Sequence, residues 1–79
     1  APHLIGNIVN WNILAPILKK KNIIIIEDSA DTLGAKHNSK YIGDKTDISI
    51  TSFYGSHIIN CAGNGGALVT NNEKVFKRM

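Results

Sequence analysis

Cysteine, proline and aromatic side chains are scarce, and each scarcity excludes something. The 79 residues contain one cysteine, two prolines, two phenylalanines, two tyrosines and one tryptophan. Cys61 alone cannot close an internal disulfide, which suits a reducing compartment. Together with His3, His37 and His57 it matches no zinc-ligand spacing, so no metal is expected. Long apolar runs are missing too. The longest aliphatic run is Ile23 to Ile26, against roughly 20 residues for a bilayer span, and no basic segment followed by an apolar stretch opens the chain. A cytoplasmic protein with no membrane association is the expectation. Neither sign of charge dominates: nine Lys and Arg against six Asp and Glu leave a formal charge of +3. The one basic run, Lys19-Lys20-Lys21, reads as the end of a helix, where cations face the negative end of the dipole. Basic residues interleaved with aromatics are absent, so nucleic acid is not an expected partner.

What is present is a globular composition, 43% apolar and 19% charged, which excludes a disordered tail. The length is below the roughly 100–150 residues of a usual independent domain. Trp11, Leu14, Ala15 and Leu18 recur at helical spacing and predict a helix over 10–21, capped by Asn10. Pro16 sits too deep for a first-turn proline and should kink or divide that helix. Ile23 to Ile26 then form a β-branched run of the kind a strand buried on both faces requires, as in a parallel sheet covered by helices. A short strand is expected at Tyr41-Ile42, a core strand over Ile48–Phe53, and a long loop over Tyr54–Gly65. A third strand is expected over Ala67–Thr70. Asn71 or Asn72 should cap a last helix carrying Glu73, Val75, Phe76 and Met79. Ala1-Pro2-His3 reads as an entry from another strand, and the last helix stops in mid-pattern. The expectation is therefore an α/β architecture in which residues 1–79 are part of a larger domain, incomplete at both ends.

Chemistry-bearing residues gather at the expected strand ends, where ligands bind in open α/β sheets. Glu27-Asp28 closes the isoleucine strand. Asp28 there is either a cap for the following loop or a counter-ion for a protonated ring nitrogen or a metal. Ser52 and Ser56 flank Phe53-Tyr54-Gly55 at the end of the next strand, as ordinary loop serines or as phosphate ligands. His57 is a packing histidine or a proton carrier. Gly63-Asn64-Gly65-Gly66 permits close backbone approach but matches no nucleotide-binding loop.

Their order and spacing say more. Glu27-Asp28-Ser29-Ala30-Asp31-Thr32-Leu33-Gly34-Ala35, then Asp47-Ile48 and Ser52-Phe53-Tyr54-Gly55-Ser56-His57, then Gly63-Asn64-Gly65-Gly66-Ala67, resemble the DegT/DnrJ/EryC/StrS sugar aminotransferase family. The resemblance covers nearly the whole chain. It implies part of the large, cofactor-binding domain of a fold-type I pyridoxal-phosphate (PLP) transferase, with a mostly parallel sheet covered by helices. It places the family's aspartate for the pyridine nitrogen on Asp28 and its phosphate-contacting serine on Ser52. Asp31 falls where the family usually has a glutamine against the cofactor's phenolic oxygen. His57 falls where the family has the lysine that attaches covalently to the cofactor aldehyde.

Imidazole has no primary amine and cannot make that attachment, but it moves protons near neutral pH. The same exchange of lysine for histidine marks the family's sugar 3-dehydratases, which hold pyridoxamine phosphate (PMP) without a covalent link. The resemblance thus implies loss of the hydroxyl at carbon 3 from a nucleotide-linked 4-keto-6-deoxy sugar, in deoxysugar and cell-surface polysaccharide biosynthesis. His57 and Asp28 would be catalytic, and Asp28, Asp31, Ser52 and His57 cofactor-binding. Iron–sulfur members of that branch carry a cysteine where this chain has Ala30, so the cluster-free type acting on a GDP-linked 4-keto-6-deoxymannose, with glutamate as amino donor, is the one expected. Family members are homodimers. The competing expectations are a PLP-dependent sugar-nucleotide aminotransferase, a non-catalytic relative that binds ligand or regulates, and a small phosphate-binding module.

Overall fold

The computed structural model describes all 79 residues. A 3-10 turn at Leu4–Gly6 precedes helix α1, Trp11–Lys20; strand β1, Ile26–Asp28, follows. A small hairpin, β2 Lys36–His37 and β3 Lys40–Tyr41, leads to β4, Ile48–Ser52, then β5, Gly66–Val69, and a last helix α2, Glu73–Phe76.

Helix α1 forms on the expected stripe: Trp11 and Ala15, one turn apart, are buried, and Leu14 and Leu18 are packed beside them. Asn10 holds the N-cap position, but its side chain caps nothing. Instead its carbonyl accepts from the Ile13 and Leu14 amides, at 3.2 and 3.1 Å. Pro16 does not divide the helix, which runs unbroken through it. Both Pro16 and Asn12, the residue whose carbonyl loses its donor, are exposed, so water can take the place of the missing N–H. The helix ends where Asn22 turns left-handed, φ 54. There the Asn22 amide donates to Lys19 and the Ile23 amide to Leu18, at 3.0 and 3.1 Å, the paired closure of a Schellman motif with asparagine in the glycine position.

The main sheet has the order β1-β4-β5. β1 and β4 run parallel, with Asp28 opposite Ile50, and an isolated parallel bridge joins Pro2 to Asp28. β5 returns antiparallel to β4, pairing Gly66 with Ser52. The α/β expectation holds, and the sheet is mixed because the loop after β4 turns the chain straight back.

The isoleucine strand sits later than its sequence suggests. The ladder occupies Ile26–Asp28, and of Ile23 to Ile26 only Ile25 is buried. Alternation along the strands explains this. Ile25 and Glu27 face helix α1, whereas Ile26, Asp28, Ile50 and Ser52 face the other side. Ile26 and Ile50 are 46% and 37% exposed, so the second face is not covered by any of these residues. The core is accordingly thin: Trp11, Ala15 and Ile25, with Val9, Leu14 and Leu18 packed against them.

Under α1 lies a buried polar pair. His3 Nε2 is 3.2 Å from Glu27 Oε2, and both side chains are fully buried. The Val9 amide donates to His3 Nδ1 at 3.1 Å, so Nε2 carries the ring proton and donates it to the carboxylate. Glu27 Oε1 has no partner. Gly43, at φ +93, lies so near that a Cβ there would stand 3.4 Å from that oxygen.

Where the sequence suggests a single strand at Tyr41-Ile42, the chain forms a hairpin of Lys36–His37 and Lys40–Tyr41. Asn38 and Ser39 both have positive φ, 51 and 64, the conformation of a two-residue type I′ turn. At the other end, the Asn72 side chain accepts from the Lys74 and Val75 amides, as expected of a cap. No helix is long and apolar enough to cross a membrane.

Candidate active site

The C-terminal ends of β1 and β4, and the loop 53–65 between β4 and β5, bring the sequence-predicted residues into one region. Register puts Asp28, Ile50 and Ser52 on the same face of the sheet. Asp28 Oδ1 accepts from the Ala30 amide at 3.1 Å, which is the loop-cap reading of this residue. Its second carboxylate oxygen has no protein partner, so capping and ligand binding are compatible. Ser52 Oγ accepts from the Tyr54 amide at 3.2 Å, and its own hydroxyl proton remains to be donated.

Asp31 and His57 meet. His57 Nδ1 is 3.8 Å from Asp31 Oδ1, with the side chains 28% and 43% exposed. Asp31 Oδ2 accepts from the Ile5 amide at 3.1 Å. The His57 amide donates to the Tyr54 carbonyl at 2.9 Å, closing a turn, and the Tyr54 ring stands edge-on to the imidazole at 6.4 Å and 76°. His57 is therefore not a core packing residue. Asp31 and Ser52 line one shallow depression of about 40 Å³ with Ala30, Leu33, Ile58 and Ile59. Asp28 touches neither Ser52 nor His57 directly.

The loop is folded back on itself through backbone contacts. The Phe53 amide donates to Gly65 at 2.8 Å and the Cys61 amide to Phe53 at 3.3 Å. A Cβ on Gly65 would stand 2.6 Å from Cys61 Sγ, and one on Gly66 3.0 Å from the Thr51 carbonyl. This is the close approach that the glycine cluster suggests. The loop contains no lysine. Lys36 lies over the Tyr41 ring at 4.6 Å, and Lys40 pairs with Asp44 at 3.0 Å. A larger groove of about 460 Å³ runs beside the hairpin, lined by Ser29, Tyr41, Asp44, Thr46 and Ser49 among others, and includes none of the four predicted residues.

Two further contributors lie outside the expected site residues. Ile5 sends its amide to Asp31 from a left-handed conformation, φ 53, which no sequence rule assigns to isoleucine. Tyr54 stands three residues before His57, the spacing of a β-turn, and that spacing was a usable signal.

This arrangement, a sheet carrying a carboxylate and a hydroxyl at adjacent strand ends with an imidazole in the next loop, defines a piece of a fold-type I PLP-dependent transferase. The family model described as the DegT/DnrJ/EryC1/StrS aminotransferase family matches residues 1–79, and the chain belongs to that family, whose members use PLP or PMP. A GDP-perosamine synthase of Escherichia coli O157:H7 is 37% identical over 76 residues, 96% of this chain and 21% of that protein. A UDP-4-amino-4,6-dideoxy-N-acetyl-beta-L-altrosamine transaminase of Campylobacter jejuni is 36% identical over 74 residues, 94% of this chain and 19% of that protein. Among solved structures, a Bacillus subtilis protein with bound PMP superposes with a TM-score of 0.87 at 26% identity, covering 98% of this chain and 17% of its own. The chain thus spans about a fifth of the length of these relatives.

The donor set fits the cofactor. A strand-end carboxylate with one free oxygen suits a protonated ring nitrogen, and a hydroxyl with a free proton suits a phosphate oxygen. The depression itself holds Asp31 and Ser52 but neither Asp28 nor His57.

Proposed function

We propose that this chain is the part of a PLP/PMP enzyme that holds the cofactor's ring and phosphate, in a protein acting on a nucleotide-linked keto sugar. Bound there, the cofactor supplies an amine and an electron-accepting ring. Asp28 would hold a proton on the ring nitrogen through its free oxygen. Ser52 would donate its hydroxyl proton to the phosphate. His57 would carry protons between cofactor and substrate, first as base and then as acid.

Two reactions are open to such a site. The family name and the transaminase relative support amino transfer, and on the comparisons alone that reading is the better supported. One residue favours 3-dehydration instead. Position 57 is histidine, and loop 53–65 offers no lysine amine for the covalent attachment that amino transfer in this family uses. His57 is the observation that carries the narrower proposal: a cluster-free 3-dehydratase of a nucleotide-linked 4-keto-6-deoxy sugar, working as a homodimer with glutamate as amino donor.

Full-length protein incubated with PMP, glutamate and a GDP-linked 4-keto-6-deoxymannose tests it, with mass spectrometry of the sugar product. Loss of the carbon-3 hydroxyl without gain of nitrogen is the expected result. Gain of an amino group would make the protein an aminotransferase. Retained cofactor with unchanged sugar would make it a non-catalytic relative.

A further inference from the structure

The two oxygens of Asp31 do different things. Oδ2 is held by the Ile5 amide at 3.1 Å, and Oδ1 faces His57 Nδ1 at 3.8 Å. The main-chain donor fixes the carboxylate independently of the histidine. Ile5 takes up an uncommon left-handed conformation, φ 53, to bring that donor there. On the other side, the 54–57 turn and the Tyr54 ring hold the imidazole. At 3.8 Å the contact is within ion-pair distance and longer than a hydrogen bond.

The chemistry of residue 31 then matters. A glutamine, which the family usually has here, can present either a donor or an acceptor. An ionised aspartate can only accept. Facing Nδ1, it favours the neutral ring that carries its proton on Nδ1 and leaves Nε2 bare. That is the logic by which an aspartate fixes the tautomer of the histidine base in serine proteases.

We propose that Asp31 is a positioning residue for His57: its carboxylate holds the Nδ1 proton and keeps Nε2 as the proton-accepting nitrogen. The value of this for catalysis rests on the reading of His57 as the base.

The test uses full-length protein labelled with 15N at histidine, at a pH where the ring is neutral, with the His57 signal identified by its loss in His57→Asn. Ring couplings report the tautomer. The wild type should show the Nδ1–H form. Asp31→Asn keeps an oxygen for the Ile5 amide and turns its NH₂ toward Nδ1, so it should switch His57 to the Nε2–H form. Turnover should fall on the order of 10²–10⁴-fold, as for loss of a general base, with KM little changed. Asp31→Glu, still acceptor-only, should keep the Nδ1–H form and recover part of the rate. The same tautomer in wild type and Asp31→Asn would overturn the proposal. A switched tautomer with unchanged turnover would uphold the contact and overturn His57 as the base.

Discussion

Replacing His3 by leucine should loosen the strand that carries Asp28. His3 is the only partner of the buried Glu27 carboxylate, whose second oxygen already has none. Removing the imidazole strips a buried carboxylate of its one hydrogen-bond donor, which costs more than the about 1–3 kcal/mol of a neutral orphan. Glu27→Leu leaves only a neutral N–H unpaired, at about 1–3 kcal/mol. The double variant removes both polar groups, so its cost should be below the sum of the singles by about 2–3 kcal/mol. The Val9 amide loses its acceptor in both variants lacking His3, and that loss cancels in the cycle. Native-state hydrogen exchange of full-length protein, read on a peptide spanning β1, measures the local opening free energy without requiring global two-state unfolding. Single-variant costs that add to within about 0.5 kcal/mol would refute the coupling. A His3→Leu variant as protected as wild type would refute the burial argument itself.

The strand-end residues make two further predictions for the full-length protein. Asp28→Asn should nearly abolish turnover while leaving β1 protection unchanged, because an amide still accepts from Ala30 but does not stabilise a ring cation; steady-state kinetics beside hydrogen exchange checks both. Ser52→Ala should weaken PMP retention by about 1–3 kcal/mol, the range for a hydrogen bond to a charged partner. Equilibrium dialysis measures that loss, and unchanged affinity would remove Ser52 from the phosphate site.

Much of the architecture is legible in the residues, and the failures have physical causes. The Trp11–Leu18 stripe gives helix α1, and Asn72 gives the cap of α2. Pro16 misleads because its cost depends on whether the freed carbonyl is wet, which spacing does not reveal. The isoleucine run misplaces β1 because four consecutive β-branched residues do not say which of them enters the ladder. Asn22 and Asn38-Ser39 act through left-handed conformations that asparagine tolerates, so a helix stop and a hairpin hide in polar stretches. His3 carries no local signal at all, since its partner Glu27 comes from a different element. At the site, motif spacing singles out Asp28, Ser52 and His57 individually. The meeting of Asp31 with His57 depends on how loop 53–65 folds back over the end of β1, and only the three-dimensional structure shows it. The family assignment from motifs stands, whereas the dehydratase branch rests on His57 against relatives named for amino transfer.

If His57 occupies the position of the family's cofactor-binding lysine, as proposed, His57→Lys should restore the covalent attachment. Full-length His57→Lys protein would be mixed with pyridoxal phosphate, reduced with borohydride, digested and mapped by mass spectrometry. A stable cofactor label should appear on the lysine introduced at position 57 and be absent from the wild type and from His57→Asn. A folded His57→Lys protein that binds pyridoxal phosphate yet carries no label at position 57 would contradict it.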